Sequence, residues 1–363
     1  MVDVPVIAVG RIHDPAKAEQ ILADGRADFI AMGRPMLADA ELPNKVTSGR
    51  SDRVRRCISC ENCIDAMEQR FSMDCAVNPR TGRERELAVH PAAHPKRVVV
   101  IGSGPAGMEA ARVAAERGHY VTLFERDGET GGALLWASIL HPANEPFLQW
   151  LRDEIARSSV RVELGQEVSA DDVVALRPDA VVVANGGRVV VPIPGSEQPL
   201  VHSGAAAVRA ASQGRLPEGR RVAIVGADLV ALELAEFLAA RGRLVSVLES
   251  GETIAPEVGN KRKTEHMDRL DRLGVAVHVR GEIERIVPDG VVFIPSAGSS
   301  RHLAADSVVI AGRGGTQHRG VREALRRTAR HQRESRRRLH RSRADPQGHR
   351  GRRPRRLRHL TKE

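Results

Sequence analysis

Cys57, Cys60, Cys63 and Cys75 are the only cysteines in the chain, and all lie within the stretch CISCENCIDAMEQRFSMDC. The spacing is C-x2-C-x2-C-x11-C. Three thiolates close together with a fourth further along suit a cubane [4Fe–4S] cluster. Structural zinc more often uses two separated CxxC pairs, and four plain thiols are the third reading. Disulfides are disfavoured in a reducing cytosol.

A second constellation is Gly102-Ser103-Gly104-Pro105-Ala106-Gly107, after the apolar run Val98–Ile101 and before a helical pattern. In such a turn the first glycine allows the tight bend and the second lets the backbone approach a pyrophosphate. The third lets helix and strand pack closely, and the helix N-terminus offers N–H groups to the phosphates. Glu125 closes the next strand, 18 residues after Gly107, where a carboxylate can accept from ribose hydroxyls. A chance glycine turn is the bland alternative. About 124 residues further on the unit recurs in weaker form, with Gly226, Asp228 and Ala231 in the turn and Glu249 at the strand end. Asp228 sets a side chain and a negative charge where a pyrophosphate should meet backbone. NAD(P)H binding there stays open, with Glu249 favouring NADH over NADPH, against a lobe kept for its packing.

Two Gly-Arg pairs form the third constellation. Gly10-Arg11 and Gly33-Arg34 each end one of two consecutive predicted strands, as do the phosphate-binding residues of the last two strands of a (β/α)8 barrel. Surface arginines beside ordinary turns are the alternative.

The elements that must position these residues are of the α/β class. Residues 3–9 predict a short buried strand, and Asp14 with Pro15 predicts a helix start, with Gly25 near the helix end. ADFIAMGRP predicts the next strand. Two βα units alone cannot close a barrel or bury both faces of a parallel sheet. The expected division is a barrel piece over 1–56, a cysteine segment and linker over 57–95, and a first nucleotide lobe over 96–194. A second, Rossmann-like lobe follows over 195–300, then a strand over 301–313 returning to the first lobe, and an Arg-rich tail over 314–363.

Charge supports setting the tail apart. From Arg313 to Glu363 there are 18 arginines and one lysine against four acids, a net +15, so the rest of the +10 chain carries −5. The basic balance therefore says nothing about the folded body. The tail has no aromatic residue for base stacking and too much charge to fold, so a specific nucleic-acid partner is not expected. No apolar run of membrane-spanning length occurs, and the N-terminus lacks a basic flank for a signal peptide, so the cytoplasm is the expected compartment, with no membrane partner.

These parts in this order resemble the iron–sulfur flavoenzymes that include trimethylamine and dimethylamine dehydrogenases, 2,4-dienoyl-CoA reductase and related N-demethylases. The resemblance covers residues 1–313. It implies an FMN-binding barrel ending at VGRIHDP and AMGRP, a four-cysteine cluster segment, and an FAD (or ADP) lobe followed by an NAD(P)H-type lobe. IGSGPAG with Glu125 and the Gly131-Gly132 pair looks like the FAD fingerprint, and VVVANGG, with Gly186, resembles the family's ATGG segment. The implied activity is electron transfer among FMN, [4Fe–4S] and the FAD or ADP module. The substrate would be a small molecule, an N-methyl amine or a conjugated enoyl thioester, and an electron-transfer partner would complete the circuit. The first six βα units of the family's barrel are absent, so no catalytic residue carries over. A one-base shift of reading frame within 314–363 can encode the family's missing Gly-Asp motif and capping helix. The tail is therefore expected to be a frameshifted segment on an incomplete copy. The competing reading is a non-catalytic nucleotide-binding remnant.

Overall fold

A computed structural model describes residues 2–187 and 192–311. The tail over 314–363, with its frameshift reading, lies outside the described residues.

Strands β1 (Ile7–Val9) and β2 (Phe29–Ala31) pair in parallel, Ile7 opposite Phe29. Helix α1 (Pro15–Ala23) joins them. Its Asp14 carboxylate accepts from the Ala16 N–H at 3.0 Å and Pro15 takes the first turn, where a missing N–H costs nothing. The expectation of a buried strand over 3–9 is corrected. The strand has three residues, and Ile7 and Phe29 are 60% and 58% exposed. The pair has no third strand among the described residues to extend it. Helices α2 (Gly33–Ala38) and α3 (Leu42–Thr47) follow, and the cysteine segment contributes α4 (Asn62–Glu68).

The first nucleotide lobe runs β3 (Arg97–Ile101), α5 (Pro105–Glu116), β4 (Tyr120–Phe124), α6 (Ala133–Leu140), α7 (Glu145–Arg157), β5 (Arg161–Glu163), α8 (Ala170–Ala175) and β6 (Ala180–Val183). The sheet order is β5-β4-β3-β6, all parallel. One face of β3, Val98 and Val100, packs with Met108, Leu123, Leu148 and Leu151, while the other, Val99 and Ile101, packs with Phe124 and Val173. Burial on both faces is why β3 reads as an unbroken apolar run.

The second lobe runs β7 (Val201–Ser203), α9 (Gly204–Ser212), β8 (Arg221–Val225), α10 (Leu229–Ala239), β9 (Leu244–Leu248), α11 (Asn260–Arg272) and β10 (Ala276–His278). The antiparallel strands β11 (Glu282–Val287), β12 (Gly290–Ile294) and β13 (Arg301–Ala304) form a small sheet, and β14 (Ser307–Ile310) follows. The main sheet order is β10-β9-β8-β14-β7.

The assignment of 301–313 as a return strand to the first lobe is corrected here. β13 joins the antiparallel sheet, and β14 inserts between β8 and β7 of the second lobe, with Ser307 opposite Val222. The second lobe therefore extends past residue 300 to the end of the described chain. Asp306 fixes the register: one carboxylate oxygen accepts from the Arg220 and Arg221 N–H groups at 2.8 Å, and the other pairs with the Arg221 guanidinium at 2.6 Å. No helix among the described residues is long and apolar enough to cross a membrane.

Candidate nucleotide and thiol sites

The internal repeat is reproduced bond for bond. Gly102 N–H donates to the Phe124 carbonyl and Gly226 N–H to the Leu248 carbonyl, both at 2.8 Å. Ser103 N–H donates to Glu125 Oε2 at 2.7 Å, and Ala227 N–H donates to Glu249 Oε2 at 2.8 Å. Each strand-end acid thus braces its own glycine turn. The sequence suggests ribose as the partner of Glu125; the structure gives it Ser103, through both N–H and hydroxyl, and the Asp127 N–H at 3.1 Å. Burial pushes its carboxyl up, but these hydrogen bonds outweigh burial and hold it below the usual carboxylate range.

At the helix ends the two turns part company. In the first, Gly104 caps α5 with no side-chain hydrogen bond. Gly107 packs so closely that a Cβ would lie 1.8 Å from the Gly102 carbonyl oxygen, and a Cβ on Gly102 would lie 2.6 Å from that of Ala184. Gly131 donates its N–H to the Ser103 carbonyl at 3.0 Å. A Cβ on Gly132 would come 3.0 Å from the Gly104 Cα, while one on Gly104 itself or on Gly186 would meet nothing within 4 Å. Pro105 and Ala106 form the first turn of α5. The glycine turn, the Gly131-Gly132 pair and the start of the ANGG segment therefore converge around a bare helix N-terminus.

The second turn is closed by carboxylates. Asp228 caps α10 by accepting from the Ala231 N–H at 2.9 Å, and Glu257 accepts from the Leu229 N–H at 2.7 Å. Two of the N–H groups that would face a phosphate are already taken by anions. Asp228 was visible in the sequence; Glu257, 28 residues beyond Leu229, had no local signal.

The four cysteines converge on one small cavity with Arg34, Leu37, Ile58, Glu61 and Val77. The void is about 10 Å³, the room of a single water. Burial raises the thiols of Cys57, Cys60 and Cys63 above their usual range. Among the described residues, no three His, Cys, Asp or Glu side chains stand close enough to grip a single metal ion. Four thiols make a donor set that suits a cubane cluster and equally a structural zinc ion. The thiols must lose their protons to hold either.

Glu61, between Cys60 and Cys63, escaped the sequence reading. It is 2% exposed and sits at φ 63°, in the left-handed region. Arg34 donates to its carboxylate at 2.5 Å, Lys261 lies at 3.0 Å and Arg11 at 3.9 Å. Burial raises its carboxyl, and the cations outweigh that and hold it below the ordinary range. The two Gly-Arg pairs thus meet at one buried carboxylate. Arg34 is well covered there, while the Arg11 side chain stays 58% exposed and also reaches Glu265. Asp65 adds a second tie, accepting from the Gly259 N–H at 2.9 Å. The N-terminal βα pair, the cysteine segment and the start of α11 are locked together through these groups.

Two lobes on parallel sheets, each with a glycine turn at a strand end, define a nucleotide-dependent oxidoreductase module. Residues 96–325 match the pyridine nucleotide-disulphide oxidoreductase family, and residues 1–53 match the NADH:flavin oxidoreductase / NADH oxidase family. The chain belongs to this group of flavin-dependent oxidoreductases. The match runs past Arg313, where the regular pattern was expected to end. The chain is 37% identical over 318 residues to an NADH oxidase of Thermoanaerobacter brockii, covering 86% of this chain and 49% of the relative. It is 32% identical over 268 residues to a dimethylamine dehydrogenase of Hyphomicrobium sp. (strain x), covering 67% and 36%. A 2-naphthoyl-CoA reductase structure superposes with a TM-score of 0.83 at 31% identity, covering 89% of this chain and 49% of that one. The chain spans about half the length of the curated relatives it matches.

Proposed function

We propose that this chain carries the electron-transfer half of a flavin- and iron–sulfur-dependent oxidoreductase, with a flavin dinucleotide in the first lobe and a [4Fe–4S] cluster on Cys57, Cys60, Cys63 and Cys75. The observation that carries the reading is the contrast between the two helix ends: α5 is bare and glycine-lined, whereas α10 is capped by Asp228 and Glu257. The N–H groups of α5 would hold the pyrophosphate, with Gly104 and Gly132 letting it approach. Glu125 holds the turn in shape and stays ionised beside it. Arg34 and Arg11 would meet the phosphate of FMN in a complete barrel, and Glu61 orients Arg34. When bound, the flavins exchange electron pairs with substrate and the cluster passes single electrons.

The substrate is an N-methyl amine or a conjugated enoyl compound. Relatives carry names of both kinds, dimethylamine dehydrogenase and cinnamate reductase among them. The capped α10 favours the amine reading, because pyridine nucleotide is then not the electron donor. The retained Glu249 brace is what an NAD(P)H-driven reductase would keep.

The test is flavin binding by the purified chain. FAD should bind and be lost in Gly107→Ala, with Gly226→Ala sparing it. Loss of FAD in Gly226→Ala alone would place the dinucleotide in the second lobe and overturn the reading. The cluster has its own assay: anaerobic reconstitution with iron and sulfide should load iron that a variant lacking all four cysteines cannot hold. Equal uptake by that variant would refute the ligand set.

A further inference from the structure

A cleft of about 600 Å³ shares no lining residue with either nucleotide turn and adjoins the thiol cavity, since Arg55 of its lining bonds the carbonyl of Val77 in that cavity's wall. It is formed where residues 39–55, the loop after Cys75 and helix α7 meet. Its volume is that of a small-ligand site, and its lining carries six guanidinium groups and Lys45 against five carboxylates.

Three of the six arginines in the lining are matched by carboxylates, and Arg50 bonds the Ser48 hydroxyl. Arg53 grips Glu154 through two bonds, at 2.9 and 2.7 Å, Arg157 pairs with Asp52 and Glu154, and Arg112 pairs with Glu109 and Glu116. Arg55 and Arg80 are different. Arg55 is 8% exposed and Arg80 is partly buried, and the Nε of each is buried with no hydrogen-bond partner. Among the described residues no carboxylate forms an ion pair with either. The Arg55 guanidinium lies 4.3 Å from the centre of the Trp150 ring, and its Nη1 donates to the Val77 carbonyl at 2.8 Å. Asn78 links the two: its Oδ1 accepts from the Arg80 N–H at 3.2 Å and lies 3.5 Å from the Arg55 Nη1.

Buried donors without acceptors are rare and costly. A guanidinium cannot shed its charge to relieve that cost, and its planar fork matches an oxyanion. We propose that this cleft binds a small ligand carrying an oxyanion group, held by Arg55 and Arg80 with Trp150 as the rigid backing of Arg55. The site adjoins the cysteine segment, Arg55 standing two residues before Cys57, and does not rest on a cluster being bound there.

The probe is inorganic pyrophosphate, with succinate as the carboxylate arm, both at constant ionic strength. The readout is Trp150 fluorescence in a Trp136→Phe background of the full chain. Dependence of the signal on Arg80 separates binding in the cleft from anion binding to the Arg-rich tail. Pyrophosphate or succinate should give a saturable change, and the tighter of the two identifies the ligand class. Arg80→Gln should weaken binding at least tenfold, with Arg80→Lys in between, and circular dichroism confirming that each variant is folded. If Arg80→Gln does not fold, Arg80→Lys alone must still show the weakening. No saturable signal with either anion, or saturation indifferent to Arg80, would overturn the proposal.

Discussion

At the scale of single residues, Gly107 and Glu125 carry the most weight. The turn has no room for a methyl group at 107, since the Gly102 carbonyl would lie 1.8 Å from it. Gly107→Ala should cost about 2 kcal/mol, in the range of overpacked sites, and abolish flavin binding. A melting curve should move down by roughly 5 °C; an unchanged curve would mean that strand and helix are less tightly apposed than described. Glu125 tests the linkage between ionisation and folding. Its folded-state carboxyl is held below the usual range, so its stabilisation is fully present above about pH 4.3, the ordinary Glu value, and is lost as pH falls through the lower folded value. Glu125→Gln turns an amide donor toward other donors at Ser103 or Asp127. The variant should be about 1–2 kcal/mol less stable at pH 7, with the gap closing in acid. Urea denaturation at pH 7 and near pH 3 measures both, and a gap independent of pH would contradict the assignment.

At the scale of elements, the two βαβ units share a skeleton and differ at the helix N-terminus. In α10 the Asp228 carboxylate fills the place that a phosphate would take. Asp228→Gly should cost only a few tenths of a kcal/mol, because glycine is itself tolerated as an N-cap. It should raise NADH affinity severalfold, read by quenching of nicotinamide fluorescence. Lower affinity in the variant would show that Asp228 assists a nucleotide. The element β14 carries a different lesson. SVVI is apolar enough to enter any buried parallel sheet. The Asp306 contacts with Arg220 and Arg221, 86 and 85 residues upstream, set it in the second lobe beside β8.

At the scale of the whole molecule, Glu61 is the junction. It accepts from cations belonging to the βα pair and to α11 while standing between two cysteines. Removing its charge leaves Arg34 and Lys261 without their buried anion. Full loss of a buried pair costs 3–5 kcal/mol, but the Lys261 and Arg11 side chains are about half exposed and solvent screens them. Glu61→Gln should therefore lower stability by about 2 kcal/mol and split a single calorimetric transition into two, as the second lobe uncouples from the cysteine segment. One transition at the original temperature would show that the units are held together elsewhere.

What the sequence determined by itself was local. The glycine spacing, the strand-end acids, the Asp14 cap and the repeat of about 124 residues depend on neighbours within one βαβ unit, so pattern and residue chemistry suffice to read them. Asp228 as an obstacle to phosphate was equally legible, because a helix N-terminus is defined by the few residues that begin it. Tertiary structure decided what depends on groups far apart in the chain. It turned Glu125 inward to brace Ser103, closed α10 with Glu257, moved β14 to the second lobe, and gathered Arg11, Arg34 and Lys261 on Glu61. It also left the guanidinium groups of Arg55 and Arg80 without an ion-pair partner among the described residues while matching Arg53, Arg112 and Arg157. Each of these is a matter of which charge meets which donor across tens to hundreds of residues, and that pairing is settled only when the lobes pack.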